Sequence, residues 1–158
     1  MTVRVYVPCT LGRLRDVVAS GGIGPTPVLA HAVTDAVRGE LGDAGEEEWE
    51  YAASSAAAQA SVGLLRAGEP ARRVVLAVDV PAVRELPETD PTLVQVDDVV
   101  PFRLLAAVLA DSREAEPTVA AARDALLADA PDADRLLDRC LDHELGWWGV
   151  QEVPQLLA

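Results

Sequence analysis

The chain has 158 residues, 50% hydrophobic and 25% charged, with a formal charge of −13; that is enough apolar material for a core and too much for intrinsic disorder. All 13 basic residues are Arg, and Lys and Asn do not occur, which excludes a Walker A lysine, a Schiff-base lysine and a Cys-His-Asn triad. The acidic excess leaves no basic stripe for phosphates, so neither nucleic acid nor an anionic membrane surface is an expected partner.

Val3 to Pro8 alternates Val3, Val5 and Val7 with Arg4 and Tyr6, a period of two that predicts a strand. Thr10 is placed to cap a helix over Leu11 to Ser20, whose apolar positions Leu11, Leu14, Val17 and Val18 fall three and four apart, and Gly21-Gly22 stops it. Gly21, Gly22 and Gly24 resemble a phosphate loop only superficially, because they follow a helix and lead to Pro25 and Pro27; they read as a turn. Val28 to Val33 predicts a second strand, Thr34 and Asp35 start a short helix to about Leu41, and Gly42 to Gly45 is a linker. Glu46 to Ala67 predicts the longest helix, with Glu46, Glu47, Glu48 and Glu50 in its first turns, where the helix dipole favours negative charge. Its expected apolar stripe is Trp49, Ala53, Ala56, Ala60 and Leu64. The acidic run reads as a helix start and solvated face rather than a metal or partner site.

Arg72 to Val80 is a β-branched run closed by Pro81 and predicts a buried strand. Arg72 and Arg73 at its start read as solvated, whereas Asp79 inside it needs a partner such as an Arg. Ala82 to Pro91 is a loop and Leu93 to Val96 a short edge strand. Phe102 to Ala110 lacks a decisive period; Pro101 before it and Asp111-Ser112 after it favour a strand followed by a helix to about Asp129. A last helix is expected from Asp132 through Leu145, with Val153 as its furthest limit before Pro154. The alternating order predicts one α/β domain over residues 1–158, with a mixed or largely parallel sheet of four to five strands and helices packed on its faces.

Through VRVYVP near the start, EEEWEYAA in the long helix, RRVVLAVDVP in the central strand and DHELGWWGVQEVP near the end, the chain resembles an uncharacterised actinobacterial family of small acidic proteins, a domain of unknown function. The resemblance covers nearly the whole chain and implies no activity. Cys9 stands where that family usually carries a small residue such as Ala, so the resemblance implies no cysteine chemistry there. The lack of Lys and Asn, with a single Ile and many Ala, Val and Arg, fits the codon bias of a GC-rich genome, and a halophile's acidic surface is the rival explanation. Cys9 and Cys140 have no CxxC spacing, so no disulfide framework or zinc site is expected. No apolar run reaches the ~18 residues that span a bilayer and the amino terminus does not read as a signal peptide, so a cytoplasmic location is expected.

The densest set of chemically able residues is Asp142-His143-Glu144 with Trp147, Trp148, Gln151 and Glu152. On a helix, Cys140, Glu144, Trp147 and Gln151 share one face, and His143 neighbours Trp147 at i and i+4. One reading makes His143 a general base, oriented by a carboxylate and walled by indoles. The other has the tryptophans covering a core edge and His143 in a local hydrogen-bond network. HELGW lacks the second histidine of HExxH, and His143, Glu144, Cys140 and His31 have no paired metal-ligand spacing, so no metal or cofactor is expected. If ligands bind beyond strand ends, as in open parallel sheets, Cys9, Thr10, Asp79, Asp111 and Ser112 are selected. Cys9 is then either activated by the following helix dipole or a small buried apolar residue. Leu141 and Leu145 set an inward helix face that makes Trp148 the core residue and Trp147, with Gln151, the exposed interface candidate. Two functions stay open. The first is a non-enzymatic protein acting through protein contacts, most simply as a homodimer. The second is a metal-independent hydrolase or small-ligand-binding protein using His143, Glu144 and strand-end carboxylates such as Asp79; a pocket joining these groups favours it, a flat apolar patch the first.

Overall fold

The alternation at the amino terminus forms β1 (Val3–Cys9), and the following helix α1 spans Leu11–Ser20 in the computed structural model, which describes residues 1–158. Thr10 Oγ1 accepts from the Arg13 amide and Gly21, at φ 78°, closes the helix, the left-handed position where glycine has no Cβ penalty. A two-residue strand β2 (Gly22–Ile23) leads to β3 (Val28–Ala32); Thr34 then caps α2 (Asp35–Leu41), and α3 covers Glu46–Val62. The chain continues as β4 (Val74–Val80), β5 (Arg84–Glu85), β6 (Leu93–Val96), β7 (Val100–Pro101), β8 (Leu105–Ala110), α4 (Glu116–Leu127), α5 (Ala133–Arg139), β9 (Gly146–Trp148) and α6 (Val153–Leu157).

The sheet corrects the expected architecture: it has seven strands in the order β5-β6-β3-β1-β4-β8-β9, every neighbouring pair is antiparallel, and β2 and β7 form a separate two-stranded sheet. The parallel expectation took each strand–helix–strand unit as a crossover between hydrogen-bonded neighbours. Strands β3 and β4, joined through α2 and α3, do run in the same direction, but β1 lies between them and is antiparallel to both. Leu93–Val96 is likewise not the edge, because β5 pairs outside it. The helix expected from Asp132, α5, is also shorter than expected. It ends at Arg139, a 3-10 turn covers Cys140–Asp142, and the two tryptophans lie in β9.

The period of two assigns the faces. Val5, Val7 and Cys9 of β1, with Val74, Leu76, Val78 and Val80 of β4, face a core closed by Leu11, Leu14 and Val17 of α1 and by Val153 and Leu156 of α6. Each such buried side chain contributes about 1.5–3 kcal/mol. On the opposite face Tyr6, Val75, Ala77 and Leu109 meet Ala53, Ala57 and Ala58 of α3. Covering on both faces explains why VVLAV reads as an unbroken apolar run. The buried stripe of α3 is Ala53, Ala57, Ala58, Ser61 and Val62 rather than the expected series through Ala56 and Ala60; in a helix so rich in alanine, hydrophobicity hardly varies around the axis and does not set the phase. Ser61 ties the layers together, its hydroxyl donating to Cys9 O at 2.7 Å and accepting from the Val74 amide at 3.2 Å. Farther along α3, Val62 packs with Val119 and Ala122 of α4 and with Cys140.

His31 on β3 is 7% exposed. Its Nδ1 lies 2.7 Å from Thr92 Oγ1, whose hydroxyl donates to Asp90 Oδ1 at 2.6 Å, so the ring is the donor to Thr92. Burial holds its pKa below the usual histidine value, with nearby Asp90 acting the other way. The folded state therefore prefers the neutral ring. Its contribution to stability is complete above pH 6.5 and is lost as pH falls through the depressed folded value. Urea midpoints at pH 7.5 and 5.5 should accordingly drop more for the wild type than for His31→Gln; equal drops would show that His31 is not the titrating group.

Candidate functional site

A cleft of 390 Å³ opens between the first turns of α3 and the segment Leu141–Trp147. Residues 47, 50, 51, 54 and 58 recur at helical spacing, so one face of α3 supplies Glu47, Glu50, Tyr51, Ser54 and Ala58 to the wall, with Glu46 at the helix start. Tyr6 of β1 and Leu109 of β8 form the floor, Arg73 lies at the foot of β4, and His143, Glu144, Leu145 and Trp147 complete the far wall. Trp147 sits opposite Leu109 on β9 and is 60% exposed, whereas Trp148, opposite Val108, turns to the α1 core and packs against it. The tryptophans point apart through strand alternation rather than the helical 100° step.

The far wall is anchored by a buried ion pair. Arg73 is 1% exposed and Asp111 also 1% exposed, which overturns the reading of Arg73 as solvated. Continuing the β4–β8 register one step beyond Val74 and Ala110 places them opposite one another. Arg73 Nε and Nη2 donate to Asp111 Oδ2 and Oδ1, each at 2.8 Å, and the Arg73 amide donates to Oδ2 at 2.8 Å. Arg72 is not free either: its Nε and Nη2 donate to Asp111 O at 2.9 and 2.7 Å. Arg73 Nη2 also donates to His143 O at 2.8 Å. The ion pair thus fixes the backbone that carries His143 and Glu144.

The structure brings His143, Glu144 and Trp147 together around the cleft and leaves the other predicted residues elsewhere. Asp79 pairs across the sheet with Arg4, Oδ1 accepting from Nε at 2.7 Å, and does not line the cleft. Gln151 is exposed in the short turn after β9. Asp142 and Ser112 are exposed, and Thr10 serves as a helix cap. Cys9 is 3% exposed, and burial pushes its thiol up to about 12, so its place at a strand end before a helix does not activate it; the Cys140 thiol is raised by burial as well. Cys9 borders a separate recess of 560 Å³ on the α1 face, beside Arg13, Arg66 and Gly24.

Chemically the cleft is acidic and aromatic. The Tyr6 hydroxyl donates to Glu50 Oε2 at 2.5 Å, a short charge-assisted bond. Burial first, and the Glu50 carboxylate second, hold the Tyr6 phenol well above its usual range, so Tyr6 stays a donor. His143 Nε2 lies 3.2 Å from Thr118 Oγ1 of α4; its orienting partner is a hydroxyl, not the carboxylate that a His general base uses. No three His, Cys, Asp or Glu side chains come close enough to hold a metal ion, and no helix is long and apolar enough to cross a membrane. Tyr6, Glu50 and Arg73 escaped the sequence reading as site residues because nothing local links positions 6, 50, 73 and 143. The one available signal was strand parity, which puts Tyr6 and Arg73 on the same sheet face as Val75 and Ala77.

A family model described as a family of unknown function (DUF6912) matches residues 3–157. No curated protein and no solved structure matches the chain.

Proposed function

The chain belongs to the family of unknown function DUF6912, and from its own geometry we propose that it works by binding a small organic ligand in the cleft between α3 and Leu141–Trp147. The observation that carries this reading is the convergence of His143, Glu144 and Trp147, remote from α3 in sequence, on Tyr6 and Glu50 around 390 Å³. That volume is in the range of small-molecule sites, and the lining combines an apolar and aromatic wall with polar and acidic groups able to orient a ligand. Ligand binding is favoured over hydrolysis because the side-chain partner of the His143 ring is the Thr118 hydroxyl, so the ring lacks the orienting carboxylate of a histidine general base. A fragment screen read by the indole resonances tests this. Hits are expected to shift the Trp147 signal and leave that of Trp49 unmoved, and Trp147→Ala should abolish them. Hits that move other indoles alone would place binding elsewhere.

Self-association is the second reading. It is supported by Trp147, 60% exposed on the edge strand β9, where an unpaired backbone edge and a large apolar side chain coincide. Sedimentation of wild type and Trp147→Ala at high concentration discriminates: a dimer weakened by the substitution supports it, and a wild-type monomer removes it.

A further inference from the structure

We propose that the ligand of this cleft is an organic cation, an ammonium or guanidinium carried on an apolar body. The inference rests on the cleft being the binding site and adds the chemistry of its occupant. Four carboxylates, those of Glu46, Glu47, Glu50 and Glu144, border the cavity, and the one arginine there, Arg73, is already neutralised by Asp111 behind the wall. Every ion pair of the chain uses an aspartate, so none of the four glutamates is paired with an arginine. The protein as a whole carries −13, which deepens the negative potential focused in a low-dielectric cleft.

Two further observations set the kind of cation. The carboxylates ring the cavity without converging, since no three acidic or other ligating side chains are close enough to cage a metal ion; a point charge has no coordination sphere here. Three aromatic rings, Tyr6, Tyr51 and Trp147, line the same space, the last two 54% and 60% exposed. Aromatic faces attract ammonium and guanidinium groups, most strongly where water is displaced. The chain already makes such a contact elsewhere, the Arg38 guanidinium lying 5.5 Å from the centre of the Trp49 ring. Rings and spread carboxylates together match a cation with an apolar body rather than a bare ion.

Calorimetric titration with three matched probes, benzylammonium, benzyl alcohol and benzoate, tests the charge requirement on one apolar frame. The wild type should bind benzylammonium at least tenfold more tightly than benzyl alcohol, with affinity falling as salt rises, and should not bind benzoate. Glu50→Gln with Glu144→Gln should erase the tenfold preference by weakening benzylammonium far more than benzyl alcohol; the amide introduced at position 50 still offers an oxygen to the Tyr6 hydroxyl. Should that double variant fold poorly, Glu144→Gln alone, at an exposed position, should weaken benzylammonium at least threefold. If benzyl alcohol or benzoate matches benzylammonium, or the preference survives the substitutions, the cation inference is overturned while the cleft reading stands. If none of the three disturbs the Trp147 indole, both fall.

Discussion

Asp111→Ala is expected to destabilise the protein by about 3–5 kcal/mol, the cost of breaking a buried ion pair from one side. The reason lies in what remains. Arg73, 1% exposed, would retain only His143 O as partner, and a guanidinium cannot shed its proton to escape burial. Arg73→Ala should cost somewhat less, because the abandoned Asp111 still accepts from the backbone amide at position 73 and a carboxylate can neutralise itself by taking up a proton. With urea slopes of about 1–3 kcal/mol/M, Asp111→Ala should lower the midpoint by about 1 M or more and Arg73→Ala by less. Arg73→Met combined with Asp111→Leu should recover much of the loss, since a packed apolar pair carries no desolvation penalty. Both singles should also loosen the Leu141–Trp147 wall, because His143 O loses its donor or the donor loses its anchor. Destabilisation below about 1 kcal/mol by Asp111→Ala would mean that the pair is hydrated in solution.

Local signals in the chain predicted local structure. Thr10 and Thr34 cap the helices expected of them, and the alternation in Val3–Cys9 sorts the two faces of a central strand. The sheet direction was not legible in the same way. A helix between two strands is compatible with a parallel neighbour or with a third strand inserted between them, and the insertion of β1 between β3 and β4 depends on contacts distant in sequence. One cue did exist: an alternating strand such as β1 is commoner in antiparallel sheets than in parallel ones. A helix through Trp147 satisfies the i, i+4 spacing but not the glycines at 146 and 149. Each glycine costs about 1 kcal/mol inside a helix, whereas two tryptophans between them suit a strand. The site was half legible for the same reason. His143, Glu144 and Trp147 are neighbours in sequence, while Glu50, Tyr6 and Arg73 reach them only through the fold.

The strand at residues 146–148 makes the two adjacent tryptophans separable by experiment. Trp148 lies opposite Val108, which is fully buried, and packs against the main core with its ring half-buried. Trp148→Ala should therefore cost about 3 kcal/mol, the low end for truncating an aromatic, because part of the ring is already in contact with water. Trp147 projects from the other face of the same strand and is 60% exposed, so Trp147→Ala should change stability by less than about 1 kcal/mol. The order of effects reverses for binding. Removing the Trp147 indole strips an aromatic wall from the cleft, whereas Trp148 does not line it. Chemical denaturation of both variants, with titration of any probe that binds the wild type, reads the two effects independently. If Trp147→Ala were the more destabilised and kept its ligand, the pairing of β9 with β8 in this register would be wrong, because a one-residue slip exchanges the faces of the two rings.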